Sequence, residues 1–129
     1  MVATLYNPET LAEFYQILSH NDNLVIFKFG ADWCAPCKKI DPLVEKWFAF
    51  LSENTNIQTV FVDVDASFEL YAFLKTKKMI QGIPTLLAYK KDNTSYTFDD
   101  SVVGADFSHV EEFFQRCLTA ANYKNVILR

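Results

Sequence analysis

Two cysteines stand three positions apart in Trp33-Cys34-Ala35-Pro36-Cys37, where a short apolar segment gives way to a long helical pattern. Two thiols at that spacing close a small disulfide ring. A helix N-terminus presents free backbone N–H groups and a partial positive charge, which together favour thiolate over thiol. Cys34, the first and more exposed of the two, is the candidate nucleophile. Cys37, one turn further in, is placed to attack a mixed disulfide and release the product. Pro36 fixes the backbone between them near the helix start. A tetrahedral zinc site needs four ligands and no second CxxC supplies them, so redox chemistry is the favoured reading and no metal is expected. Cys117 falls on the apolar stripe of a later helix and reads as a small core residue. His20 and His109, at a helix end and near a helix start, read as solvated groups and not as catalytic bases.

The elements that must hold this pair follow from periodicity. Leu11, Phe14, Tyr15 and Leu18 repeat at helical spacing, with Asn7 as the expected N-cap and Pro8 at the first helical position. Leu24 to Phe29 is apolar on both faces, is interrupted by Lys28 and is closed by Gly30, which predicts a central strand covered on two sides. Ile40, Leu43, Val44, Trp47, Phe48 and Leu51 mark a long helix that Pro42 should bend. Ile57 to Val64 reads as a second strand, and Asp65 or Ser67 as the cap of a helix over Phe68 to Lys77. Pro84 to Tyr89 and the segment Tyr96 to Phe98 are expected to form a hairpin. Val110, Phe113, Phe114, Cys117, Leu118 and Ala121 predict a last helix, opened by a Ser108–Glu111 capping box. Asn122 to Arg129 is left as a tail without assigned structure. Parallel strands need crossover helices, so the order implies an α/β fold with a mixed sheet covered on both faces.

A chain of 129 residues, half of them hydrophobic, fits one domain with a real core, expected to span residues 1–129. The 3 Gly and 4 Pro are too few for a collagenous, low-complexity or linker-rich chain. A formal charge of -4 leaves no basic surplus for phosphate backbones, so no nucleic-acid partner is expected. The amino-terminal Met1 to Pro8 lacks a secretory pattern, and the apolar stretch at Leu24 falls far short of the roughly 20 residues that span a bilayer. Neither a secreted nor a membrane protein is therefore expected. Three cysteines do not form a secreted disulfide framework, and a reducing compartment, the cytoplasm, is the expected location.

The run Phe29-Gly30-Ala31-Asp32-Trp33-Cys34-Ala35-Pro36-Cys37-Lys38-Lys39-Ile40-Asp41-Pro42 resembles the active-site strand and helix of thioredoxins. A CxxC pair beside a βαβ pattern is a general sign of such redox chemistry. Gln81-Gly82-Ile83-Pro84-Thr85-Leu86-Leu87 resembles the second signature of the family, in which the Ile-Pro bond is cis beside the dithiol, and Val103-Gly104-Ala105 resembles the third. The resemblance runs from about Leu5 to Ala120 and implies the thioredoxin fold. It also implies a peptide groove formed by Trp33, Ala35, Pro36, Ile83, Pro84 and Gly104, with the main chain of Ile83 as a docking point. Disulfides in other proteins would be the substrates, a thioredoxin reductase drawing on NADPH the electron donor, and the protein a monomer without its own cofactor.

Two positions depart from the family pattern. Ala35 replaces the usual Gly. Lys28 stands where thioredoxins commonly place a buried Asp beneath the second cysteine, and Phe61 stands where that Asp would find its Lys. A lysine on a doubly covered strand must reach the rim with its charge or give up its proton. Charged, it would favour thiolate as a modulator of the dithiol; neutral, it would serve as a base toward Cys37; at the rim, it would do neither. The departure also keeps a second reading open, a thioredoxin-like binding module with slow or absent turnover.

Overall fold

The computed structural model describes residues 5–128; Met1 to Thr4, part of the amino-terminal reading above, and Arg129 of the tail lie outside the described residues. The elements run β1 (Leu5–Tyr6), α1 (Leu11–Ser19), β2 (Leu24–Gly30), α2 (Ala35–Asn54), β3 (Ile57–Asp63), α3 (Phe68–Thr76), β4 (Thr85–Lys90), β5 (Asp100–Val103) and α4 (Phe107–Ala120). They build one mixed sheet of order β1-β3-β2-β4-β5, in which β2 runs parallel to β3 and antiparallel to β4. Every residue of β2 is buried, as expected of a central strand covered on both faces.

Alternation along β2 sorts its side chains between two cores. Leu24 and Ile26 join Val44, Trp47, Phe48 and Leu51 of α2 and Phe113, Phe114 and Leu118 of α4. Val25, Phe27 and Phe29 join Phe14 and Leu18 of α1 and Leu70 and Leu74 of α3. Because side chains alternate with a period of two, Lys28 and Gly30 belong to the face carrying α2, the helix of the two cysteines. Pro42 lies within α2, as the sequence indicated.

Four local expectations are corrected. The cap of α1 is Thr10, not Asn7: Thr10 Oγ1 accepts from Glu13 N while the Glu13 carboxylate accepts from Thr10 N, a reciprocal capping box. Asn7 is drawn away because its Oδ1 accepts from Asp63 N and its own N–H donates to Phe61 O, tying the chain to β3. The partner of β4 is Asp100–Val103, not Tyr96 to Phe98. The latter segment is a loop whose carbonyls are taken by side chains: Tyr89 Oη donates to Tyr96 O, and Asn93 Nδ2 to Thr97 O. The cap of α4 is Asp106, whose carboxylate accepts from His109 N and from Ser108 Oγ. Those two hydrogen bonds, Ser108's first, hold the Asp106 carboxyl below the usual range. Glu111 serves elsewhere, accepting from Trp47 Nε1 at 3.0 and 3.1 Å. Finally, α3 ends at Thr76, and Ser67 occupies its N-cap position without a side-chain cap bond.

The carboxyl-terminal segment after Asn122 packs on the core without regular secondary structure. Tyr123, Val126 and Leu128 lie against the α2/α4 core, and Gln115 brackets Val126, donating to its carbonyl and accepting from its N–H.

Candidate active site

The redox pair sits where β2 delivers the chain into α2. Cys34 is the N-cap of α2, its Sγ accepting from Cys37 N at 3.2 Å, and the two sulfurs are joined as a disulfide across a Cα–Cα distance of 5.3 Å. No acidic residue occupies the first turn of α2, so the helix's positive end faces Cys34 unopposed from within that turn. Both cysteines are buried, but Cys34 keeps 5 % of its surface exposed where Cys37 keeps none.

The predicted groove residues converge from three elements. Cys34 Sγ lies 4.0 Å from Ile83 O, the Ile83–Pro84 bond is cis, and Gly104 N donates to Pro84 O at 2.9 Å. Gly104 has φ +92°, a conformation in which a side chain would be strained. Trp33, Ala35 and Pro36 are exposed beside this cluster. Trp33 is 68 % exposed yet held, its Nε1 donating to Asp65 Oδ2 at 2.8 Å. Asp65 was read from sequence only as a possible helix cap; a contact between residues 33 and 65 leaves no local signal. Val103, exposed next to Gly104, adds apolar surface; the third motif contains it, but the expected groove set did not.

Lys28 neither reaches the rim nor lies unpartnered. Its side chain is 7 % exposed and its Nζ donates to Asp41 Oδ1 at 2.6 Å. Phe61 is its neighbour in register on β3, as the sequence placed it. Asp41 was missed, although two signals were available. Strand alternation puts Lys28 on the α2 face, and Asp41 follows Cys37 by four residues, one helical turn.

Among known proteins, the family model described as Thioredoxin matches residues 6–115. The chain is 32% identical over 105 residues to "Thioredoxin 1" of Plasmodium falciparum, covering 81% of this chain and 89% of that protein. It is 38% identical over 85 residues to a thioredoxin of Oryctolagus cuniculus, covering 64% of this chain and 73% of the other. A solved structure of Plasmodium falciparum thioredoxin superposes with a TM-score of 0.66 at 31% identity, covering 88% of this chain and 98% of that one.

The chain belongs to the thioredoxin family.

Its fold is the thioredoxin fold, and it is a thioredoxin-type protein dithiol:disulfide oxidoreductase with Cys34 and Cys37 as the redox pair. Membership and the joined pair carry this reading over that of a binding module without turnover. Among the described residues, no helix of this thioredoxin-family chain is long and apolar enough to cross a membrane.

The third thiol stands apart. Cys117 is buried in the α2/α4 core, and that burial pushes its thiol well above the ordinary range, with the Asp100 charge adding to the effect. Cys117→Ala should retain full insulin-reducing activity and cost about 1 kcal/mol of stability. The wild-type chain keeps this thiol protonated where the unfolded chain ionises it, so the unfolded state binds fewer protons as pH rises. Stability should therefore decline above the ordinary thiol pKa of 9.0, and urea melts across that range should show a shallower decline in Cys117→Ala. Equal slopes would mean that the thiol is hydrated.

Proposed function

We propose that the chain reduces disulfides of other proteins with Cys34 as the attacking thiolate and Cys37 as the resolving thiol. Cys34 attacks one substrate sulfur, forming a mixed disulfide and expelling the other substrate sulfur as thiolate. Cys37 then attacks Cys34 Sγ; the Cys34–Cys37 bond forms, the bond to the substrate breaks, and two electrons have passed to the substrate. The observation carrying this assignment is the placement of Cys34 at the helix N-cap with 5 % of its surface exposed, while Cys37 is fully enclosed.

Substrate chains would dock along Trp33, Ala35, Pro36, Ile83, Pro84 and Gly104, pairing main chain with Ile83. The proximity of Cys34 to Ile83 O supports that groove. A thioredoxin reductase or equivalent NADPH-dependent donor would restore the dithiol, and the chain would act as one monomeric domain in electron transport within the cytoplasm.

Alkylation of the reduced protein under native conditions tests the order of the thiols. Iodoacetamide should modify Cys34 at least tenfold faster than Cys37 or Cys117 at neutral pH, as peptide mass mapping would read. Comparable rates at Cys34 and Cys37 would contradict the assignment.

A further inference from the structure

The half-buried ion pair of Lys28 and Asp41 has a geometry that reaches Cys37. A Cβ on Gly30 would stand 2.5 Å from Lys28 Nζ and 3.5 Å from Cys37 Sγ. The missing side chain of Gly30 therefore leaves a space that both the ammonium and the sulfur border. Their separation does not exceed the ~6 Å over which one charge shifts its neighbour's pKa. Asp41, the other half of the pair, lies on α2 and is 35 % exposed. A cleft of about 160 Å³ opens over the pair, lined also by Asp32 from the loop before α2 and Asp63 from the end of β3. A second cleft is bordered by Lys28, Asp41, Glu45 and Phe61. Among the described residues lining these two clefts, Lys28 carries the only positive charge, against the carboxylates of Asp32, Asp41, Glu45 and Asp63.

We propose that Lys28 and Asp41 form one positioning device for Cys37: the ammonium stabilises the Cys37 thiolate that resolves the mixed disulfide, and Asp41 anchors that ammonium and limits how much of its field reaches the sulfur. An ammonium donating to a carboxylate has no lone pair with which to take the thiol's proton, so its action on Cys37 is electrostatic. The proton of Cys37 leaves to solvent, its thiolate takes Cys34 Sγ, and the departing substrate thiolate is protonated from solvent. Because the reduced form carries the thiolate and the disulfide carries no charge, a nearby cation stabilises the reduced form and makes the disulfide a stronger oxidant. A nearby anion does the reverse. The two halves of the pair thus act on the dithiol with opposite sign, which a purely structural ion pair would not do.

The inference rests on the dithiol reading above, and its test needs no turnover, so each can fail alone. In a Cys34→Ser background, ultraviolet thiolate absorption against pH reports Cys37, since burial keeps Cys117 protonated. Adding Lys28→Met should move the Cys37 titration up by about one pH unit, within the range that a neighbouring charge produces. Adding Asp41→Asn should move it down by a smaller amount. Gly30→Ala, whose new Cβ displaces the ammonium tip, should move it up. With both cysteines present, Lys28→Met should shift the equilibrium with glutathione about tenfold toward the disulfide, or ~30 mV lower in potential, and Asp41→Asn should shift it the other way. Asp41 is partly exposed, so its variant tests the sign even where Lys28→Met fails to fold. Shifts of the same sign in Lys28→Met and Asp41→Asn, or none in Asp41→Asn, would overturn the proposal.

Discussion

Cys37→Ser protein, reduced and mixed with a disulfide-bearing protein such as insulin, is expected to accumulate covalent adducts through Cys34 that persist for hours. The unsubstituted chain should show none at steady state. The physical reason is proximity: in the closed pair the two Cα atoms are 5.3 Å apart, and the Cys37 amide already donates to Cys34 Sγ. An intramolecular nucleophile so placed acts at an effective concentration of order 10⁵ M or more, which no free thiol in solution can match. Removing it should slow release of the substrate by several orders of magnitude and leave attack intact. Non-reducing electrophoresis with mass mapping reads the result. Adducts through Cys37 in Cys34→Ser protein, at comparable yield, would reverse the assignment of attacking and resolving thiols.

The largest stability effect is expected from Trp47→Ala. The indole is fully buried, stacks on Phe114 with ring centroids 5.0 Å apart and planes 5° apart, and meets Phe50 edge-on. Its Nε1 donates to both carboxylate oxygens of Glu111, so truncation removes a large apolar contact and also leaves that carboxylate without its donor. A loss of about 3–5 kcal/mol follows from comparable truncations, lowering Tm by on the order of 10 °C or more. Trp47 lies ten residues along α2 from Cys37, some ~15 Å at the helical rise, so activity well below the new Tm should survive. Urea unfolding and thermal melts measure the first part and insulin reduction the second. A loss under about 1 kcal/mol would show that α2 and α4 are not held together there.

The site was legible because its chemistry is local. A CxxC pair between an apolar run and a helical stripe fixes both the sulfur spacing and its place at a helix end, and both survive in the structure. Strand β2 was legible for a related reason, since only burial on both faces explains Leu24-Val25-Ile26-Phe27 followed by Phe29. The nearness of Ile83 to Cys34, and of Gly104 to Pro84, was legible only through resemblance, because nothing in Ile83-Pro84 or Gly104 alone brings them there.

Three of the errors share a cause: each involved a polar side chain whose partner is distant in sequence or on another element. Asn7 had the cap position of α1 and the backbone of β3 within reach, and β3 took it. Glu111 suited a capping box with Ser108 but was claimed by Trp47, 64 residues away. Lys28 was given only the rim or neutrality because no carboxylate was considered for it, whereas α2 supplies Asp41. The β5 assignment failed differently: aromatic residues at Tyr96 and Phe98 imitate a strand, but they cover the α1/α3 core from a loop.

Dithiothreitol-driven reduction of insulin, followed by turbidity for the unsubstituted chain and its Cys34→Ser variant side by side, tests the central claim most directly. A Cys34/Cys37 redox pair predicts reduction many times faster than dithiothreitol alone, and a return to that baseline in the variant. Two curves that both lie on the baseline would contradict the account, leaving a groove that binds without turning over.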